Sequence, residues 1–276
     1  MLVLVYTEHE PLESFLSGAP QYLGHMVYQM LNCLHDLHYK ANISHHDVNF
    51  NNIVVRRDGP DGEPRFILND LDLATRVSEE VTPLTGPTSR YFIETLPYMS
   101  WEILRDLGII YERKPFRPSL VLMSTIHRLR YDYESLLYVA IRCCFMCEKA
   151  LVPEEDLQEQ IDHWEVGHYN DLHLRKHFML AFPRDPLDGV LNWFLFSPNF
   201  EPWRNWLRRW VEAVSRAAML AKSLVKGAAT SASDDGTEDL GQWQEVDNLW
   251  SRDAILKALR GHEPEIYRYV YDSDSK

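Results

Sequence analysis

Apolar residues along the chain fall into segments of different period. Leu23, Met26, Val27, Met30, Leu31, Leu34 and Leu37 recur mostly at spacings of three and four, which aligns them on one helical face. Asn42 can end that helix. Two short apolar runs follow, at 53–55 and 66–68. The stretch Asp58-Gly-Pro-Asp-Gly-Glu-Pro64 between them is rich in turn residues, so the pair predicts a β-hairpin. From 135 to 146 the chain is apolar almost all round, as in a central buried helix. Residues 201–226 read as a helix with Trp203, Trp206 and Trp210 on related faces, a pattern that core packing explains. A last helix is expected over about 246–260. Residues 1–6 read as a short buried strand, 7–17 as a connector, 82–90 as a loop, and 228–241 as an acidic flexible loop. No internal repeat is evident. The expected fold class is mainly α with a small β-hairpin, an α+β arrangement.

Composition narrows the function. Hydrophobic residues make up 45% of the 276, enough for a sizeable core. The formal charge is −13, which argues against general binding to nucleic-acid phosphates. The four cysteines, Cys33, Cys143, Cys144 and Cys147, are not spaced as a disulfide framework or a zinc site. Three lie in one apolar segment, as in a reduced core helix. No signal peptide or run of membrane-span length is seen, so the expected location is intracellular, cytoplasm or nucleus, with neither membrane nor nucleic acid as partner. His163, His168, His173 and His177 recur every four or five residues; a solvated helix face is the preferred reading over metal binding.

The densest chemistry lies in His45-His46-Asp47-Val48-Asn49-Phe50-Asn51-Asn52. It fits H-R-D-x-x-x-x-N apart from its second residue. Such spacing suits phosphoryl transfer: one carboxylate receives a hydroxyl proton, and an amide five residues on turns back to a metal ion. A structural turn is the competing reading. Directly after the hairpin comes Asn69-Asp70-Leu71-Asp72-Leu73-Ala74, where a metal-binding Asp is expected if the octet is catalytic. Further on stand Glu94-Thr-Leu-Pro-Tyr-Met-Ser-Trp-Glu102 and Tyr131-Asp132-Tyr133-Glu134-Ser135. The bland readings there are a loop with a helix start and an Asp N-cap.

Together these motifs resemble the fungal-type protein kinases, a divergent family that tends to carry an acidic residue after the D-F pair, as Asp72 does here. The resemblance implies a protein-kinase-like C-terminal lobe and ATP-dependent, serine/threonine-type phosphotransfer with Mg2+. It assigns Asp47, Asn49 and Thr95 to the catalytic group, with Thr95 beside Asp47. Asn49 stands where many such kinases place a lysine. Asn52 and Asp70 would bind Mg2+ and ATP. His45, Glu102 and Asp132 would be structural; Glu102 should pair with a distant Arg, which the motifs do not identify. Asp132 should hydrogen-bond the backbone of the catalytic loop. His46 replaces the arginine that often receives a phosphorylated loop. Residues 1–17 match the last strand of the N-terminal lobe and the hinge, so the Gly-rich loop, strand lysine and helix glutamate are expected to be missing. The expected division is 1–227 kinase-like, 228–241 acidic loop, and 242–276 helix and tail. The expected activity is incomplete or absent, with protein as substrate or partner. The alternatives are a pseudokinase-like binding scaffold and, less favoured, a small-molecule phosphotransferase.

Overall fold

The computed structural model describes residues 9–57, 62–77, 96–105, 128–146, 169–181, 196–230 and 240–265. The expected strand at 1–6, the loop at 82–90 and Thr95 lie outside them.

The connector expected at 7–17 is instead partly ordered. Strand β1 (Glu10–Pro11) runs into helix α1 (Leu12–Gly18). Leu12, Phe15 and Leu16 are buried, a three-and-four spacing short enough to be hidden among polar neighbours. Helix α2 (Leu23–Tyr39) follows, burying Leu23, Met26, Val27, Met30, Leu31 and Leu34. Asn42 adopts a φ of 56° just past its end, a left-handed conformation that Asn tolerates.

Strand β2 (Ile43–Ser44) pairs antiparallel with β5 (Thr75–Arg76), Ser44 opposite Thr75. Strands β3 (Ile53–Arg57) and β4 (Pro64–Leu68) form the expected hairpin, with Ile53 opposite Leu68, and β1 adds to the far edge of β3. These small antiparallel sheets lie on a mainly helical body.

Helix α3 (Leu129–Met146) begins six residues before the apolar run suggests. Its first two turns carry Arg130, Asp132 and Glu134, all buried. The Asp132 N-cap reading puts the start only a few residues late; the partners of these polar side chains are distant in sequence. Helix α4 (Tyr169–Ala181) and the long α5 (Arg204–Thr230) complete the larger layer. Trp203, Trp206 and Trp210 are buried as expected, and their rings meet edge to face. The Trp203 indole N–H donates to Pro20 O at 3.0 Å and that of Trp206 to Leu259 O at 3.2 Å. Cys143 and Cys144 are buried and unbridged.

The single last helix expected at 246–260 is two, α6 (Leu240–Leu249) and α7 (Arg252–Leu259). Ser251 breaks them by taking extended backbone and accepting the Ala254 N–H at 3.3 Å, an N-cap that competes with helix continuation. Val246, Trp250, Ile255 and Leu259 join the same core as α2 and α5. Among the described residues no helix is long and apolar enough to cross a membrane. Replacing Ser251 with Ala should lower stability by about 1 kcal/mol, read as the shift in a urea-unfolding midpoint; no shift would mean that the cap is energetically idle.

Candidate active site

The turn from β2 into β3 carries the His45–Asn52 octet. Asn49 starts a short 3-10 turn at Phe50–Asn52, its side-chain oxygen accepting the N–H groups of Asn51 and Asn52 at 2.9 and 3.1 Å. Its amide nitrogen donates to one Asp47 carboxylate oxygen at 2.9 Å. Asn52 turns back and donates to the other at 2.8 Å and to the Asp47 carbonyl at 3.0 Å. Two amides thus fix one carboxylate. Where the resemblance puts a lysine, Asn49 is a buried cap and an orienting group for Asp47.

His45 is fully buried. Its Nδ1 accepts the Asp47 N–H at 3.3 Å and its Nε2 donates to Asn69 O at 3.0 Å, so one ring bridges the octet to the end of β4. The Asn69 N–H donates to Asn52 O at 2.8 Å. Asp70 follows at once, with a φ of 63°, and is exposed. One of its oxygens accepts the Asp72 N–H at 3.2 Å, which helps to hold this strained turn. His46 also has positive φ, 68°, and its Nε2 lies 2.7 Å from the Thr75 hydroxyl.

Asp132 carries the loop. Its two carboxylate oxygens accept the N–H groups of His45 at 3.2 Å and of His46 at 3.1 Å. These bonds tie the octet to α3, and Asp132 lies inside that helix rather than capping it.

The unidentified partner of Glu102 is Arg130, whose Nε and Nη2 donate to the two Glu102 oxygens at 3.2 and 2.9 Å. A third guanidinium nitrogen, Nη1, reaches Asp247 on α6. Burial alone would lower the Arg130 pKa, but Glu102, Tyr131 and Asp247 outweigh it and raise it. Arg130 stands two residues before Asp132; adjacency to that motif was a usable signal, but only the folded packing of 96–105 on α3 identifies the pairing.

Two further residues escaped the sequence reading. Glu134 accepts the Trp101 N–H at 2.7 Å and the Tyr138 hydroxyl. Lys176 on α4 donates to Leu96 O at 3.2 Å and to Met99 O, with its ammonium 4.1 Å from the centre of the Tyr138 ring. Burial pushes the Glu134 carboxyl up to about 7 and the Lys176 ammonium down to about 7; hydrogen bonds from Tyr138 and Trp101 oppose the first shift and Glu134 opposes the second. His177, expected on a solvated face, is buried against Trp101 with Lys222 at 2.8 Å. Packing of α4 on α5 and on 101–105 overrides the polar pattern. His163 and His168 lie outside the described residues, and among those described no cluster of three or more His, Cys, Asp or Glu could hold a metal ion.

The octet nevertheless suits a magnesium ion. Asn52 donates through its nitrogen to Asp47, which leaves its Oδ1 as a hard donor, and Asp70 adds a carboxylate from the adjoining turn.

A carboxylate clamped by an amide five residues on, followed by a carboxylate at a hairpin end, is the catalytic-loop pattern of protein kinases. Residues 19–144 match the family model described as fungal protein kinase, which supports a likeness of this part of the chain to that family. No curated protein and no solved structure matches the chain.

The buried charges make two measurable claims. Replacing Arg130 with Met leaves the buried Glu102 without its cation and should cost about 3–5 kcal/mol in chemical unfolding; a cost near zero would show that the pair does not anchor 96–105. For Glu134, the folded pKa near 7 lies above the ordinary value of 4.5. The folded chain therefore holds this proton more tightly, and the associated stability is complete below pH 4.5 and lost as pH rises towards 7. Relative to Glu134→Gln, the wild-type unfolding midpoint should fall between about pH 5 and pH 7; a constant difference would contradict this assignment.

Proposed function

We propose that this chain carries the catalytic residues of a protein kinase of serine/threonine type, transferring phosphate from ATP to a protein hydroxyl. The observation that supports it most is the Asp47 carboxylate, held by two amides in a loop whose backbone hangs from Asp132. Asp47 accepts the proton of the incoming hydroxyl. Asn49 and Asn52 hold its carboxylate in one orientation, so that little reorganisation is needed as the proton moves. Asn52 and Asp70 would hold the ion, and bound Mg2+ would neutralise charge on the ATP phosphates. His45 keeps the two halves of the site in register by bonding to both Asp47 and Asn69. Thr95 falls where such kinases place a threonine beside the catalytic Asp. The kinase-like unit extends to about residue 227, and 242–276 form a C-terminal extension.

A second reading, a kinase-derived binding scaffold, draws support from Asn49. A neutral amide used as a cap replaces a cation that would act on the transferring phosphate, which weakens electrostatic catalysis.

A radiolabelled phosphate-transfer assay, with ATP binding followed in parallel, tests the proposal. Slow transfer is expected, with Asp47→Asn reducing it about a hundredfold or more while ATP binding persists. Asp70→Asn should weaken Mg2+-dependent ATP binding. Mg2+-dependent binding without Asp47-sensitive transfer would favour the scaffold. Binding insensitive to Asp70 would overturn the site itself.

A further inference from the structure

A second cleft is lined by none of the octet residues. The last turn of α2, the first turn of α3, α6 and the start of α7 enclose a cleft of about 420 Å³, within the size range of small-molecule sites. Its lining brings three arginines together with two aspartates. Arg128, Arg130 and Arg252 border it, together with His35 and His38. The acidic groups there are engaged: Asp247 accepts from Arg128 at 2.9 Å and also from Arg130, and Asp253 accepts from Arg252 at 3.0 Å.

Three features point to an anionic ligand. Arg128 uses one nitrogen, Nη1, on Asp247, with its side chain 21% exposed, which leaves N–H donors of its fork for another acceptor. The eight-residue helix α7 opens on the cleft at Ser251, Arg252 and Asp253; Ser251 takes the Ala254 N–H, which leaves the N–H groups of Arg252 and Asp253 and the helix dipole to favour a negative group. Tyr133 lines the same cleft, is 1% exposed, and its buried hydroxyl has no hydrogen-bond partner. A buried hydroxyl left unpaired is costly unless something else accepts from it. The volume exceeds what a bare phosphate needs, and the exposed Tyr39 ring offers a flat surface at the rim.

We propose that this cleft binds a small phosphomonoester. Its phosphate lies between Arg128 and the start of α7, its organic body rests on Tyr39, and Tyr133 donates to it. Such a site is independent of the Asp47 loop and needs no divalent ion.

Calorimetric titration of the whole chain with phenyl phosphate, in EDTA, tests this. Chelation removes magnesium-dependent binding at Asp70, so the two sites are distinguished. One-to-one binding is expected, unchanged by Asp70→Asn and weakened about tenfold by Arg128→Gln. Tyr133→Phe removes a hydroxyl that has no partner in the fold. It should leave the unfolding midpoint intact while weakening binding about threefold, and it decides the matter if the Arg128 variant does not fold. No binding at millimolar phenyl phosphate would overturn the proposal. So would binding that neither variant affects, or inorganic phosphate binding as tightly as the ester.

Discussion

The candidate site depends on two backbone hydrogen bonds. The N–H groups of His45 and His46 point into the protein, and Asp132 takes one on each carboxylate oxygen. A buried N–H without an acceptor is costly, so the loop can enter the interior at that point only while Asp132 is there. Everything downstream inherits the constraint. His46 is held at positive φ, the chain reverses, and Asp47 is presented beside Asn49 and Asn52.

A second set of buried charges fixes the segment 96–105 around the same helix. Arg130 holds Glu102, Glu134 holds the Trp101 N–H, and Lys176 holds the carbonyls of Leu96 and Met99. Apolar residues could fill the same volume with less desolvation, so their net stabilisation is modest. What they supply is direction. Each has one geometry that satisfies it, and together they hold 96–105 against α3 in a single register. Asp247 extends the arrangement to α6 through Arg130. The C-terminal helices are thereby coupled to the helix that carries Asp132.

Strain collects beside this framework. His46 and Asp70 both take left-handed backbone without being glycine, a conformation that costs free energy and persists where neighbours enforce it. The β2–β5 ladder and the His46–Thr75 contact enforce it on one side, and on the other the Asn69 N–H donating to Asn52 and the His45 ring donating to Asn69 O. Asp72, where kinases commonly carry glycine, closes the Asp70 turn through its own N–H.

By itself the sequence determined what is local. The three-and-four spacing of α2, the turn-rich hairpin and the tryptophans of α5 follow from periods and turn chemistry that need no distant partner. The spacing from Asp47 to Asn52 also set their contact, since five residues with an Asn cap can turn back on themselves. The tertiary structure decided the rest, because the missing information was pairing at long range. Whether Glu102 had an arginine could not be read until 96–105 packed on α3, bringing Arg130 to it. The polar start of α3 matches a motif, but the partners of Arg130 and Glu134 there are known only once the chain is folded. The start of α1 and the break at Ser251 were hidden for a related reason: short segments are stabilised by what they pack against, and a capping serine decides against continuation only where the next helix has a core to join.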